Sequence, residues 1–160
     1  MSGTEAPKAA AITFEGVTPI LRVQSLPASI DYSVNVLGFK VDFHEPGIFA
    51  SVSRGRCGIF LVEGDQGNPG TWVWIGVGDT EVLFEDYSLT GAKVRHPPTS
   101  YPWAYEMQIV DPDGHILRFG SEPRPGEPFG EWLDMRGGFM NDVARPPVDA
   151  DRTWLSSASA

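Results

Sequence analysis

Apolar and polar residues alternate through Phe39-Lys40-Val41-Asp42-Phe43, the period of a strand with one buried face. Upstream, Val17 to Val23 also reads as a strand, and Pro19 within it points to a sheet edge. Between them, Ser25 offers an N-cap and Pro27 sits in the first turn of a helix. Ile30, Val34 and Leu37 recur at helical spacing, and Gly38 provides a left-handed stop. Glu45-Pro46-Gly47 is a turn. Ile48 to Ser53 and Cys57 to Glu63 are two further strands, joined at Arg54-Gly55-Arg56. The polar run Gly64 to Gly70 then interrupts the pattern.

After that break the same order returns. Thr71 to Val77 is a strand, and Asp79 is an N-cap. Val82, Leu83 and Leu89 lie on a helix that stops at Gly91, and Ala92 to Arg95 is a strand. A loop from Pro97 to Pro102 leads to a strand from Trp103 to Val110, a turn at Asp111 to Gly114 and a last strand from His115 to Phe119. Leu37-Gly38-Phe39-Lys40-Val41 aligns with Thr90-Gly91-Ala92-Lys93-Val94, and the hairpin at Gly55 aligns with that at Gly114. A strand-helix-three-strand unit thus occurs twice, an internal repeat. The expected organisation is an N-terminal arm (1–16), a first module (17–63), a linker (64–70), a second module (71–121) and a C-terminal arm (122–160). That arm is irregular, yet Phe129, Trp132, Leu133, Met135, Phe139 and Met140 give it apolar area for docking.

Composition narrows the function classes. The 160 residues are 41% hydrophobic and 21% charged, an ordinary globular balance. One cysteine, Cys57, rules out an internal disulfide framework or a Cys-rich zinc module. The net charge of −9 disfavours nucleic-acid binding and attracts cations at long range. No apolar run reaches the roughly 18–20 residues of a membrane span. The opening MSGTEAPKAAA lacks a charged-then-apolar leader pattern, so a cytoplasmic chain is expected.

The duplicated unit, the segment LPASIDYSVNVLGF (Leu26 to Phe39) and the hairpin Asp111-Pro112-Asp113-Gly114-His115 resemble the glyoxalase/bleomycin-resistance/extradiol-dioxygenase (vicinal oxygen chelate) superfamily. Trp72 to Ile75, Pro102 to Glu106 and Phe49 to Val52 are most similar to its bleomycin-resistance-type binding proteins. The resemblance implies an α+β fold of two βαβββ modules, each a curved half-barrel. It also implies a homodimer with pockets formed between subunits.

Enzymes of that superfamily hold a divalent metal with His and Glu on the sheet. The corresponding positions here are Thr18, Ile59, Trp72 and Arg118. Ile and Trp have no lone pair to offer, and Arg brings a positive charge, so no metal, cofactor or catalytic residue is assigned. The alternative is an enzyme of the same fold with a relocated metal site, for which His96, His115 and Glu106 would be the first candidates. His44, His96 and His115 otherwise read as loop and turn histidines. Cys57 reads as a small buried strand residue, with no His partner evident. A third reading is a dimeric scaffold whose C-terminal arm binds a partner.

Aromatic residues are the other signal. Trp72 and Trp74 are two apart on one strand and share a face. Trp103 and Tyr105 are spaced in the same way, with Met107 in step. Phe49 and Phe60 sit on strands of the first module. Any one of these rings alone reads as core. As a set they would suit a flat, partly cationic ligand, held by stacking and cation–π attraction. The expected ligand-binding residues are therefore Phe49, Phe60, Trp72, Trp74, Trp103, Tyr105 and Arg118. The expected function is metal-free sequestration of a bulky planar cation of the bleomycin kind.

Overall fold

In the computed structural model the described residues are 12–130, together with the backbone of two short strands beyond them. The first half contains β1 (Ile20–Arg22), α1 (Leu26–Asp31), a π-helical turn (Tyr32–Val36), β2 (Lys40–Glu45), β3 (Phe49–Arg54) and β4 (Cys57–Val62). The second contains β5 (Trp72–Gly76), α2 (Thr80–Thr90), β6 (Lys93–Ser100), β7 (Tyr105–Val110) and β8 (Ile116–Ser121). The outlying strands β9 (Trp132–Leu133) and β10 (Phe139–Met140) pair antiparallel. The rest of the expected C-terminal arm, Met135 included, lies outside the described residues, as does the start of the N-terminal arm.

Two four-stranded mixed sheets result, ordered β1-β4-β3-β2 and β5-β8-β7-β6, and neither closes into a barrel. The repeat extends to single hydrogen bonds. In each sheet the first strand runs parallel to the fourth, with Ile20 opposite Phe60 and Trp74 opposite Arg118. Each second strand has an irregular register, after Val41 in one and after Val94 in the other. The residue just past β4, Glu63, accepts from the first N–H of α1 at Leu26 (2.6 Å). The last residue of β8, Ser121, likewise accepts from Thr80 at the start of α2 (3.3 Å). Both donors are orphan groups that a helix start must satisfy.

Local chemistry explains most element ends. The Ser25 hydroxyl accepts from Ala28 N–H, and the Asp79 carboxylate accepts from Glu81 and Val82. Gly38 and Gly91 take left-handed φ of 73° and 82°, where a side chain would be strained. The helix faces differ from the expected ones. The π-helical turn rotates Val34 outward, so Leu37 is buried while Val34 is exposed. On α2 the buried residues are Thr80, Leu83 and Tyr87, whereas Val82 and Leu89 face outward. The expected Val17–Val23 strand is only Ile20–Arg22, although Pro19 still accepts from Phe60 N–H. The expected Pro97–Pro102 loop is largely strand, because β6 continues irregularly to Ser100.

Both sheets turn one face to a shared core of Leu21, Leu26, Val52, Ile59, Leu61, Leu83, Tyr87, Met107, Ile109, Leu117 and Phe119. The modules are also tied by polar bonds. The Tyr87 hydroxyl donates to Leu37 O (3.0 Å), a carbonyl also held within its own module by Arg54 Nη1 (2.7 Å). His115 is fully buried, unlike the turn histidine expected. Its Nδ1 accepts from Thr71 N–H (3.0 Å), so Nε2 carries the hydrogen and donates to Arg22 O (2.7 Å). At the counterpart junction, where the Arg54–Cys57 turn meets the start of α2, a cleft of about 710 Å³ opens instead. Phe39, Ile75, Leu83 and Phe119 line it, and Cys57 is half-buried there as a free thiol. Among the described residues no helix is long and apolar enough to cross a membrane.

Candidate functional site

On β5 the core takes Val73 and Ile75, so strand alternation turns Trp72 and Trp74 to the open face. They remain 49% and 43% exposed, unusual for rings of this size. Register places Arg118 opposite both Trp74 and Gln108, and Glu106 opposite Gly120. Glu106, only 3% exposed, organises this face. Its Oε1 accepts from Arg118 Nη2 (2.6 Å) and its Oε2 from the Trp74 indole N–H (3.2 Å). The Trp74 ring covers Gly120, where a Cβ would approach the indole to 2.7 Å. At the far end the Arg95 guanidinium lies over the Trp72 ring at 5.1 Å and donates to Gln108 Oε1.

Trp103 precedes β7 rather than lying on it, and stacks on Tyr101 with centroids 4.9 Å apart and planes 3° from parallel. Tyr101 is buried; burial and the nearby Glu106 raise its phenol above the ordinary range. Tyr101 thus lies near enough to Glu106 and Arg118 to feel both charges. Arg118 Nε is buried without a hydrogen-bond partner among the described residues.

Tyr105 does not join this face. The strand alternation that aligns it with Met107 turns both toward the core side. Its hydroxyl bonds Glu81 on α2, and Arg124 lies 3.9 Å above its ring. Burial, with Glu81 second, pushes its phenol up to about 12. The expected pairing of Trp103 with Tyr105 fails because β7 begins only at Tyr105, so the period of two does not reach back to Trp103.

On the first sheet, Phe49 and Phe60 meet edge to face at 4.9 Å, and Phe43 packs on Phe49 at 6.0 Å. Phe43 was not singled out by its sequence context; its alternation with Phe39 and Val41 was the available signal. The irregular register after Val41 sets Phe43 opposite Ser51, in the row of Phe60 and Ile20. Apart from Tyr105 and Trp103, the candidate rings thus form two groups, one on the open face of each sheet.

The superfamily's metal positions do not converge here. Ile59 is 4% exposed and faces the core; its neighbours Gly58 and Phe60 face the other way. Among the described residues no group of three or more His, Cys, Asp or Glu comes together. Of the relocated-site candidates, His115 has both ring nitrogens committed between the modules, and Glu106 is committed to Arg118 and Trp74. This donor set does not fit a divalent metal.

Fold and residues together define a two-module protein with an aromatic open face. The chain belongs to the Glyoxalase/Bleomycin resistance protein/Dioxygenase superfamily, whose family model matches residues 13–119. It is similar to the bleomycin-binding protein from bleomycin-producing Streptomyces verticillus, solved with copper(II)-bleomycin: 26% identity, 69% of this chain and 98% of that one, TM-score 0.61. TioX from Micromonospora sp. ML1 is 20% identical over 68% of this chain and 99% of that one, with TM-score 0.62. A superfamily protein from Nocardioides is 19% identical over 74% and 91%, with TM-score 0.57. No significant match was found among curated proteins.

Proposed function

We propose that this protein sequesters a bulky planar organic molecule by ring stacking, in the cytoplasm and without metal chemistry at the open face. One observation carries the reading: Trp72 and Trp74 stay more than a third exposed on a face otherwise ordered by buried hydrogen bonds, and Trp103, before β7, is more than a third exposed too. A disordered surface would not spend a buried carboxylate on orienting one indole. A ligand laid on these rings gains stacking of about 0.5–1.5 kcal/mol per aromatic pair beyond the area it buries.

The face is open in one chain, so a second copy completes the pocket. Homodimerisation would set Phe43, Phe49 and Phe60 of one protomer near the tryptophans of the other. The likeness to a bleomycin-binding protein makes bleomycin the first ligand to try, and antibiotic resistance the corresponding role. Calorimetric titration of the wild-type chain and of Trp103→Ala with bleomycin, with solution mass measured in parallel, is the test. Saturable binding by a dimer, weakened about ten-fold or more in the variant, is expected. Failure of bleomycin and of a panel of planar antibiotics to bind would reject the reading.

A further inference from the structure

The chain's net charge of −9 favours a cation approaching from a distance, but the charges on the tryptophan face have the opposite sign. Glu106 is the carboxylate of that face, and both its oxygens are taken, by Arg118 and by Trp74. The hairpin-tip carboxylates keep their charge but are turned to backbone N–H groups, each through its Oδ1. Asp111 accepts from Asp113 and His115 N–H, and Asp113 accepts from Gln24 N–H. Arg95 is exposed and has no carboxylate within ion-pair distance among the described residues. Its single side-chain acceptor is the neutral Gln108 amide. Lys93 shares the row of Trp72, through Val110 and Ile116. Among the described residues, Lys93, Arg95 and Arg118 thus stand against one carboxylate within this sheet face.

Distance decides which charge a ligand feels. Charges farther away than the Debye length, about 8 Å at physiological salt, are largely screened. A ligand stacked on Trp72 would share that ring with a guanidinium 5.1 Å from its centroid. A cation placed there meets repulsion, whereas a carboxylate meets a guanidinium whose N–H donors, beyond the one given to Gln108, have no acceptor among the described residues, beside the ring that holds its aromatic body.

We propose that the Trp72–Trp74 face selects planar aromatic ligands carrying a carboxylate, with the carboxylate bound by Arg95. This rests on reading the face as a ligand site and reverses the charge expected from composition. The rings supply affinity, and Arg95 supplies the choice of charge. Gln108 holds Arg95 in place from the neighbouring strand.

Three probes of one shape test it: 1-pyrenecarboxylate, the neutral 1-pyrenecarboxamide and the cationic 1-pyrenylmethylammonium, each titrated into the full chain at neutral pH. The carboxylate is expected to bind on the order of ten-fold tighter than the amide, with the cation weakest. Arg95→Gln, an exposed substitution whose folding is checked by thermal melt, should bring the carboxylate-to-amide ratio to about one. Equal binding of carboxylate and amide to the wild type, an unchanged ratio in Arg95→Gln, or tightest binding of the cation overturns the charge assignment and leaves the aromatic site standing. Binding of none of the three removes both.

Discussion

The Trp74 indole covers Gly120, leaving no room for a Cβ, which would come within 2.7 Å of the ring. The glycine is opposite Glu106 on β7, the residue that accepts the indole N–H. Backbone and carboxylate together therefore fix where the ring lies.

Gly120→Ala should lift Trp74 from the sheet and break its bond to Glu106. The expected outcome is a protein destabilised by about 1–3 kcal/mol, with weakened planar-ligand binding. Urea melts and the pyrene titrations check it. Unchanged binding in the variant would show that this ring does not touch ligand.

Glu106→Gln leaves the half-buried Arg118 without its counter-charge. A loss of about 1–3 kcal/mol is expected in urea denaturation, partly recovered when Arg118→Met is added. If the single substitution leaves the midpoint where it was, the pair is not a structural support of the face.

His115→Ala removes a ring that bridges Thr71 N–H and Arg22 O, stranding both. A cost of about 2–3 kcal/mol is expected, with faster hydrogen exchange at the Thr71 amide. A loss under about half a kcal/mol would mean that the junction relaxes around water.

All four tyrosines of the chain are raised by burial above the ordinary 10.0, Tyr87 and Tyr105 to about 12. An acid whose folded pKa exceeds its unfolded one keeps its proton longer in the fold. Its stabilising contribution is full below pH 10 and is lost as pH rises through about 12. Tyrosinate absorbance should therefore stay flat near pH 10 and rise together with loss of tertiary circular dichroism. A tyrosinate step centred at pH 10 in the folded protein would contradict this burial.

Part of the candidate site was legible from residue order. Trp72 and Trp74 share an open face because strand period alone demands it, and Val73 and Ile75 supply the buried alternative. Tyr105 was not legible: its side depends on where β7 starts, and Trp103 sits outside the strand. Nor was the service of Glu63, which caps α1 from just past β4.

The chain's own letters determined the duplicated unit, its helix starts at Ser25 and Asp79, and its glycine stops, because caps and left-handed turns are properties of a few adjacent residues. Which strand lies beside which was decided only in three dimensions. That neighbourhood sets Glu106 between Arg118 and Trp74, buries His115 between the modules, and leaves Arg95 over Trp72 with no carboxylate in ion-pair reach among the described residues. Hydrogen bonds and local fields act over a few ångströms of space, and residues up to 93 positions apart in the chain meet at that distance only once the sheets have formed.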